Sequence, residues 1–366
     1  MNEKPKRNFL LIVDSLLGGG AERMVLTLAK ALSSAGHQAV VLNLSGQTEL
    51  NIPEGICVIN RGFNISSRHV RRHGDEFSRC IAEIESQVGE FDGIIGNLPL
   101  AEAFLHRSSR DSVFVIHCVL SHHVNSKRGL LKRIRKRLSY KSRYKQRRLI
   151  CCSEAVRKDL IENFSIRPQQ CITIHNPVDV NWIRQQTGVD SPGDLPRGDY
   201  IIHVGSFSEV KRHDLLVEAF ALSGVDGDLV LVGQGPEERA IRQLVNEMGM
   251  AEKVHFLGFK QNPYPYMKHA RLLALSSDSE ALPTVLIEAL ACETPVVSTD
   301  TPGAKEILAG DLARGLCAVG DVHALAEKLH QAWESKGEAE YLKAIEAYTM
   351  HFAAKKYVDF MLKKKG

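Results

Sequence analysis

Short apolar runs alternate with longer amphipathic stretches along almost the whole chain, and this rhythm constrains the fold more than any other feature. Strands covered on both faces read as continuous apolar runs, and parallel neighbours need a crossover, usually a helix, between them. The pattern predicts strands at Phe9–Val13, Gln38–Asn43, Gly93–Gly96, Val113–His117 and Leu149–Cys152 in the first half. In the second half it predicts Tyr200–Val204, Asp228–Val232, Val254–Leu257, Leu272–Leu275 and Pro295–Ser298. The fold class expected is therefore α/β, with two doubly wound halves. A length of 366 residues agrees with two domains at roughly 150 residues each.

A polar stretch from Gln185 to Asp199, carrying Gly188, Pro192, Gly193, Pro196 and Gly198, marks a linker or surface loop. The domain break is expected just before it, near Pro177–Asp179. Lys4-Pro5-Lys6-Arg7 followed by Phe9–Val13 imitates a signal peptide, but Asp14 ends the apolar run short of the roughly seven residues such a region needs. A first core strand fits better. No run approaches the ~18 apolar residues of a spanning helix. Eight scattered cysteines without a C-x-x-C pair read as reduced core thiols of a cytosolic protein.

Ligands of open α/β sheets sit outside the carboxyl ends of the strands, so the strand-to-helix loops are where chemistry is sought. After the first strand, Gly18-Gly19-Gly20-Ala21-Glu22-Arg23 opens a helix; it is either a tight turn or a loop whose backbone approaches an anion closely. In the second half, Gly205-Ser206-Phe207-Ser208-Glu209-Val210-Lys211-Arg212 precedes a helix at His213–Leu222. Lys211 there either meets a diphosphate or belongs to a solvated basic turn.

The most informative segment runs from Ser279 to Ala291. Pro283 suits the first helical position, leaving Glu280 in the loop and Glu288 inside the helix. Thr284 and Glu288 are four apart and share a face, so a phosphate at the free amides of Leu282 to Val285 would leave Glu288 near the ribose of a nucleotide. The alternative makes Glu280 a cap and Glu288 a surface ion-pair residue.

Glu280 and Glu288 form an E-x7-E pattern, followed by Ala-Leu-Ala-Cys-Glu-Thr-Pro-Val-Val and then Thr301-Pro302-Gly303-Ala304-Lys305-Glu306. With the Gly-Gly-Ala-Glu-Arg loop, Lys211 and Phe256-Leu257-Gly258-Phe259, the chain resembles the GT-B glycosyltransferases of retaining family 4, especially those building lipopolysaccharide, capsule and other bacterial surface glycans. The resemblance covers nearly the whole chain and is strongest from Ile201 to Leu329.

It implies two Rossmann-like domains facing a central cleft, an acceptor domain over 1–178 completed by a last helix over about 349–366, and a nucleotide-sugar domain over 179–348. It also implies catalysis without a metal or other cofactor. By this likeness Glu280 touches the donor sugar, Glu288 the ribose and Lys211 the diphosphate. Gly19 and Gly20 close from the other domain, Phe259 and Lys260 lie by the base, and Leu282, Pro283, Thr284 and Val285 supply the helix start. Ser206 stands where the family usually has arginine, leaving Arg212 or another residue to supply a cation, and Ala281 stands where it usually has glycine. His117 matches a histidine that many relatives place beside the sugar; the other reading is a satisfied strand-end residue. Metal binding by His117, His122 and His123 is disfavoured, since they lack zinc-type spacing.

From Lys127 to Arg148 there are twelve basic residues and no acidic one, with Leu130, Leu131, Ile134, Leu138 and Tyr144 at helical spacing. This basic amphipathic helix, with Lys132, Arg133, Arg135, Lys136 and Arg137 at its centre, is expected to lie on anionic lipid. An acceptor-phosphate site and an ordinary solvated helix are the alternatives. Lys355, Lys356 and Lys363-Lys364-Lys365 extend the basic surface. Aromatic stacking residues are sparse here and no reader motif accompanies the charge, so nucleic acid is not the expected partner. No specific protein partner is expected either.

These readings converge on a peripheral enzyme of the cytoplasmic face of the inner membrane. It would move a hexosyl or N-acetylhexosaminyl group from a nucleotide-sugar, a UDP-sugar by resemblance, to a lipid-linked or lipopolysaccharide/capsule glycan. A GT-B epimerase or hydrolase and a non-enzymatic anionic-lipid-binding protein are the rivals.

Overall fold

A computed structural model describes residues 5–63, 69–127, 129–188, 193–335 and 341–363. Lys4, Pro192, Lys364 and Lys365, named above, lie outside the described residues, as does Arg128 within the basic run.

The chain separates into two compact units, one formed by Met1–Val178 with Tyr348–Gly366 and one by Asp179–Ala347. The first is built on seven parallel strands: β1 (Asn8–Val13), β2 (Gln38–Asn43), β3 (Cys57–Asn60), β4 (Gly93–Asn97), β5 (Val113–Ile116), β6 (Arg148–Cys151) and β7 (Cys171–Thr173). Their spatial order is β3-β2-β1-β4-β5-β6-β7. The second unit holds β8 (Tyr200–Val204), β9 (Asp228–Val232), β10 (Val254–Gly258), β11 (Leu272–Leu275), β12 (Val296–Thr299) and β13 (Leu316–Cys317), ordered β10-β9-β8-β11-β12-β13. These strands are parallel too.

The ten strands read from apolar runs are all present, with ends shifted by at most one residue. Phe9 to Val13 are wholly enclosed, as a central parallel strand with helices on both faces requires. The strands β3, β7 and β13 carry no such run: they lie at or beside sheet edges, are two to four residues long and are only partly covered.

In the first unit the helix Gly20–Ser34 packs against the helix Met350–Leu362, and Tyr357 is fully enclosed between them and the sheet. Burying one such ring is worth about 2–3 kcal/mol. The main-chain amide of Val178 donates to the carbonyl of Tyr348 at 2.8 Å, tying the returning chain to the first unit.

The cysteine expectation needs a correction: six are buried, but Cys57 and Cys118 are exposed. Cys57 opens a partly covered edge strand, and Cys118 sits in the loop after β5, so neither has a layer over it.

Each sheet reverses its winding once, between β1 and β4 in the first unit and between β8 and β11 in the second. The loops leaving these pairs of strands diverge, and the crevice at such a switch point is where open α/β sheets bind ligands.

Candidate functional site

In the second unit the two loops at the switch point are Gly205–Lys211, after β8, and Ser276–Pro283, after β11. They are joined by the amide of Asp278, which donates to the carbonyl of Val210 at 2.9 Å. Across this junction Lys211 Nζ meets Glu280 Oε1 at 2.5 Å. Both side chains are largely covered, at 20% and 14% exposure, so the pair is formed away from bulk screening. Ser277 Oγ donates to the same oxygen at 2.7 Å.

The loop after β8 has little room. A side chain at Gly233 would lie 1.8 Å from the carbonyl oxygen of Gly205, and one at Gly235 2.4 Å from that of Phe207. The loop after β9 therefore packs backbone to backbone on it, with Phe207 N donating to Gln234 O and Glu237 N to Phe207 O. Behind it lie His203 and His213, rings 4.5 Å apart, His213 stacked on Phe207 at 4.2 Å. Burial pushes the His213 imidazole down to about 4, and burial with the neighbouring His213 and Lys211 holds His203 well below its usual range. Two neutral rings thus fill the space under Lys211.

The helix after Glu280 spans Thr284–Ala291, with Pro283 as its N-cap rather than its first residue. Leu282 is buried, so its side chain is not presented to a ligand, whereas the first turn offers the amides of Thr284 and Val285. Glu288 lies one turn on and is half-buried. Gly303, at the start of the next helix, donates its amide to Glu280 O at 3.2 Å. A side chain there would approach Ala281 O to 2.5 Å.

Other expected residues sort differently. Arg212, in the left-handed region at φ 50°, gives its guanidinium to Asp214 at 3.0 Å and Asp278 at 3.1 Å. Its guanidinium rests on these two carboxylates, and Ser206, where the family usually has arginine, presents an exposed hydroxyl that faces Ser208 Oγ at 3.4 Å. Phe259 is 53% exposed just after Gly258, free to stack on a flat ligand. Lys260 instead pairs with Asp194 at 2.6 Å, an aspartate that also accepts from Tyr266.

In the first unit Gly19 caps the helix Gly20–Ser34, but its amide is taken by the carboxylate of Glu22 at 2.5 Å. Glu22 also accepts from Ser15. A carboxylate from its own helix thus already fills the place an external anion would use, while Gly20 has open space beside it.

His117 follows β5 and is half-buried. Its Nε2 contacts Asn97 Oδ1 at 3.1 Å, and its Nδ1 has no partner. Because Asn97 Nδ2 donates to Ile12 O at 3.4 Å, the oxygen faces His117, so Nε2 carries the proton and Nδ1 is a bare acceptor. Burial pushes its pKa down to about 4.

Beneath these loops Asp14 accepts from the amides of Leu100 and Ala101, and Glu102 accepts from Tyr144 Oη at 2.7 Å and Arg143 at 3.1 Å. Burial raises the two carboxyls to about 6 and about 7.

The basic helix spans Leu130–Tyr144. Tyr140 and Tyr144 face the core, whereas Leu130, Leu131, Ile134 and Leu138 are 73%, 77%, 45% and 59% exposed. Of its central cations, Lys136 lies over the Tyr140 ring, Arg133 binds Lys127 O and Arg137 binds Asn163 O. Lys132 and Arg135 are exposed.

Sequence reasoning missed Ser276, Ser277, Asp194, Asp278, Glu22 and the His203–His213 pair. Only the position of the two serines directly after an apolar strand hinted at a role.

Residues 18–182 match the family model Glycosyltransferase Family 4, and residues 192–349 match Glycosyl transferases group 1. The chain is similar to the N-acetylgalactosamine-N,N'-diacetylbacillosaminyl-diphospho-undecaprenol 4-alpha-N-acetylgalactosaminyltransferase of Campylobacter jejuni, 33% identical over 55% of this chain and 57% of that protein. It is also similar to the lipopolysaccharide core biosynthesis glycosyltransferase LpsE of Rhizobium meliloti, 32% identical over 39% and 41%. The chain spans about half the length of these curated relatives. Among solved structures, Anabaena Alr3699/HepE in complex with UDP and glucose matches with a TM-score of 0.75 and 20% identity, over 96% of this chain and 98% of that one. With each half matched by one of these two models and each folded as a Rossmann-like domain of the GT-B type, the chain is similar in both halves to the group 1 and family 4 glycosyltransferases.

Proposed function

We propose that the protein transfers a hexosyl or N-acetylhexosaminyl group from a UDP-sugar to a lipid-linked or lipopolysaccharide/capsule glycan, with retention of anomeric configuration. The observation that carries this reading is the Lys211–Glu280 pair at the switch point of the second sheet, beside the start of the helix Thr284–Ala291. The Anabaena neighbour, crystallised with UDP and glucose, supports a nucleotide-sugar, and the Campylobacter relative, named for a diphospho-undecaprenol acceptor, supports a lipid-linked one.

In this reading the amides of Thr284 and Val285 face the diphosphate, Glu288 holds the ribose and Phe259 stacks on the base. Lys211 exchanges Glu280 for the diphosphate and neutralises charge as it leaves. Glu280, released from its ion pair, presents its carboxylate to the sugar. His117 is assigned to the acceptor held by the first unit, and its enclosed Nδ1 must be uncovered before it can receive a hydroxyl. No metal is required.

The test mixes purified protein with a panel of nucleotide-sugars, with and without membrane extract, and follows nucleotide release. Release dependent on extract and unaffected by chelator is expected. Epimerised sugar, or release without an acceptor, would favour the rival enzymes.

The exposed Leu130, Leu131, Ile134 and Leu138 beside Lys132 and Arg135 favour peripheral docking on an anionic lipid surface, at the cytoplasmic face of the inner membrane. Among the described residues no helix is long and apolar enough to cross a membrane. Replacing the three leucines by serine should reduce binding to anionic vesicles about tenfold or more while sparing transfer to a soluble acceptor. Equal loss of both would assign the helix to the acceptor.

A further inference from the structure

The strand β11 delivers two adjacent serines, Ser276 and Ser277, both fully enclosed. Their hydroxyls serve different halves of the same site. Ser276 Oγ lies 2.8 Å from the carbonyl of Lys211 and 2.9 Å from that of Arg212, donating a shared hydrogen bond to the turn that holds Arg212 in the left-handed region. Ser277 Oγ donates to Glu280 Oε1, and the Ser277 carbonyl accepts from the enclosed Thr299 hydroxyl at 2.6 Å. The serine that grips the carboxylate is thus itself gripped by β12.

Glu280 Oε1 has two donors, Lys211 Nζ and Ser277 Oγ. They differ in what else they can do. A diphosphate is a stronger attractor for an ammonium than one carboxylate, so a bound donor draws Lys211 away. A serine hydroxyl enclosed by packing has no such freedom. We infer that Ser277 is the positioning residue that keeps the Glu280 carboxylate in place once Lys211 has moved to the donor, while Ser276 fixes the backbone from which Lys211 swings. This inference rests on the donor-site reading above.

The experiment compares wild type, S276A, S277A, E280Q and S277A/E280Q by steady-state transfer, nucleotide binding and thermal melting. Loss of a hydrogen bond to a charged group predicts that S277A lowers kcat about ten- to hundredfold, with donor KM and Tm close to wild type. Because Ser277 acts through Glu280, S277A should not slow the residual turnover of E280Q any further. S276A should instead raise donor KM and leave kcat within about twofold. Wild-type kcat in S277A, or an equal slowing of wild type and E280Q by that substitution, would overturn the assignment of Ser277 alone. If wild type neither binds nucleotide nor consumes any donor, the donor-site reading fails first.

Discussion

The two units carry the same kind of sheet and treat its carboxyl edge in opposite ways. In the second unit the switch-point loops are locked backbone to backbone by Gly233, Gly235 and Gly303, and their charged residues are drawn together as the Lys211–Glu280 pair over two neutral histidines. In the first, the glycine loop is open at Gly20, the Gly19 amide is occupied by Glu22, and the buried titratable groups include the carboxyls of Asp14 and Glu102. A rigid loop can hold a charge where charge develops in a reaction, whereas an open one suits a substrate whose shape varies. The two sheets are alike, and the difference between the units lies in the loops.

The largest expected effect separates the two edges directly. E280Q should lower kcat about a thousandfold while nucleotide binding survives, whereas H117A should cost about ten- to hundredfold. Steady-state kinetics with titration calorimetry would decide, and similar losses from both would erase the contrast.

Acid should part the units next. His213 has a folded pKa of about 4 against an ordinary 6.5, so the unfolded chain takes up its proton first. The stability this ring contributes is complete above pH 6.5 and falls as pH drops toward 4, by about 3 kcal/mol in all. In the first unit His117, also lowered to about 4, has the same sign, but Asp14 and Glu102 have raised values and oppose it: their contribution is present at low pH and is lost as pH rises through about 6 and 7. Scanning calorimetry between pH 7.5 and 4.5 should show the second unit's transition falling faster than the first's, and H213N should flatten it.

E288A is expected to weaken nucleotide binding about ten- to hundredfold with little change in Tm, read by calorimetry. The smallest contrast lies in the glycines. G303A forces a methyl group onto the carbonyl of Ala281 and should cost about 1–3 kcal/mol, while G20A, with open space beside it, should change thermal stability by less than about 1 kcal/mol.

Much of this was legible in the chain, for identifiable reasons. Enclosed strands announce themselves because both faces are apolar, which is why β8 and β11, and with them the loops of Lys211 and Glu280, were located to within a residue. The strand Cys57–Asn60 was not, because a partly covered strand carries no continuous apolar run. The basic helix was legible as amphipathic, yet the hydrophobic pattern cannot tell a leucine stripe that faces the core from one that faces out; here Tyr140 and Tyr144 take the core side. Arg212 read as a spare cation because its partners differ in kind: Asp214 is two residues away, but Asp278 reaches it only through the fold. Ser277 was invisible, since one hydroxyl in a serine-rich loop resembles any other until the carboxylate it touches is known.

The return of the last helix to the first unit means that the unit bearing Lys211 and Glu280 is inserted, topologically, into its partner. On the ribosome the insert is complete before the host, whose hydrophobic interior waits for Tyr357. A nascent chain that has cleared the exit tunnel only as far as Ala347 would hold a finished second sheet and an unsealed first one, and removing the helix Met350–Leu362 would harm the first unit rather than the second.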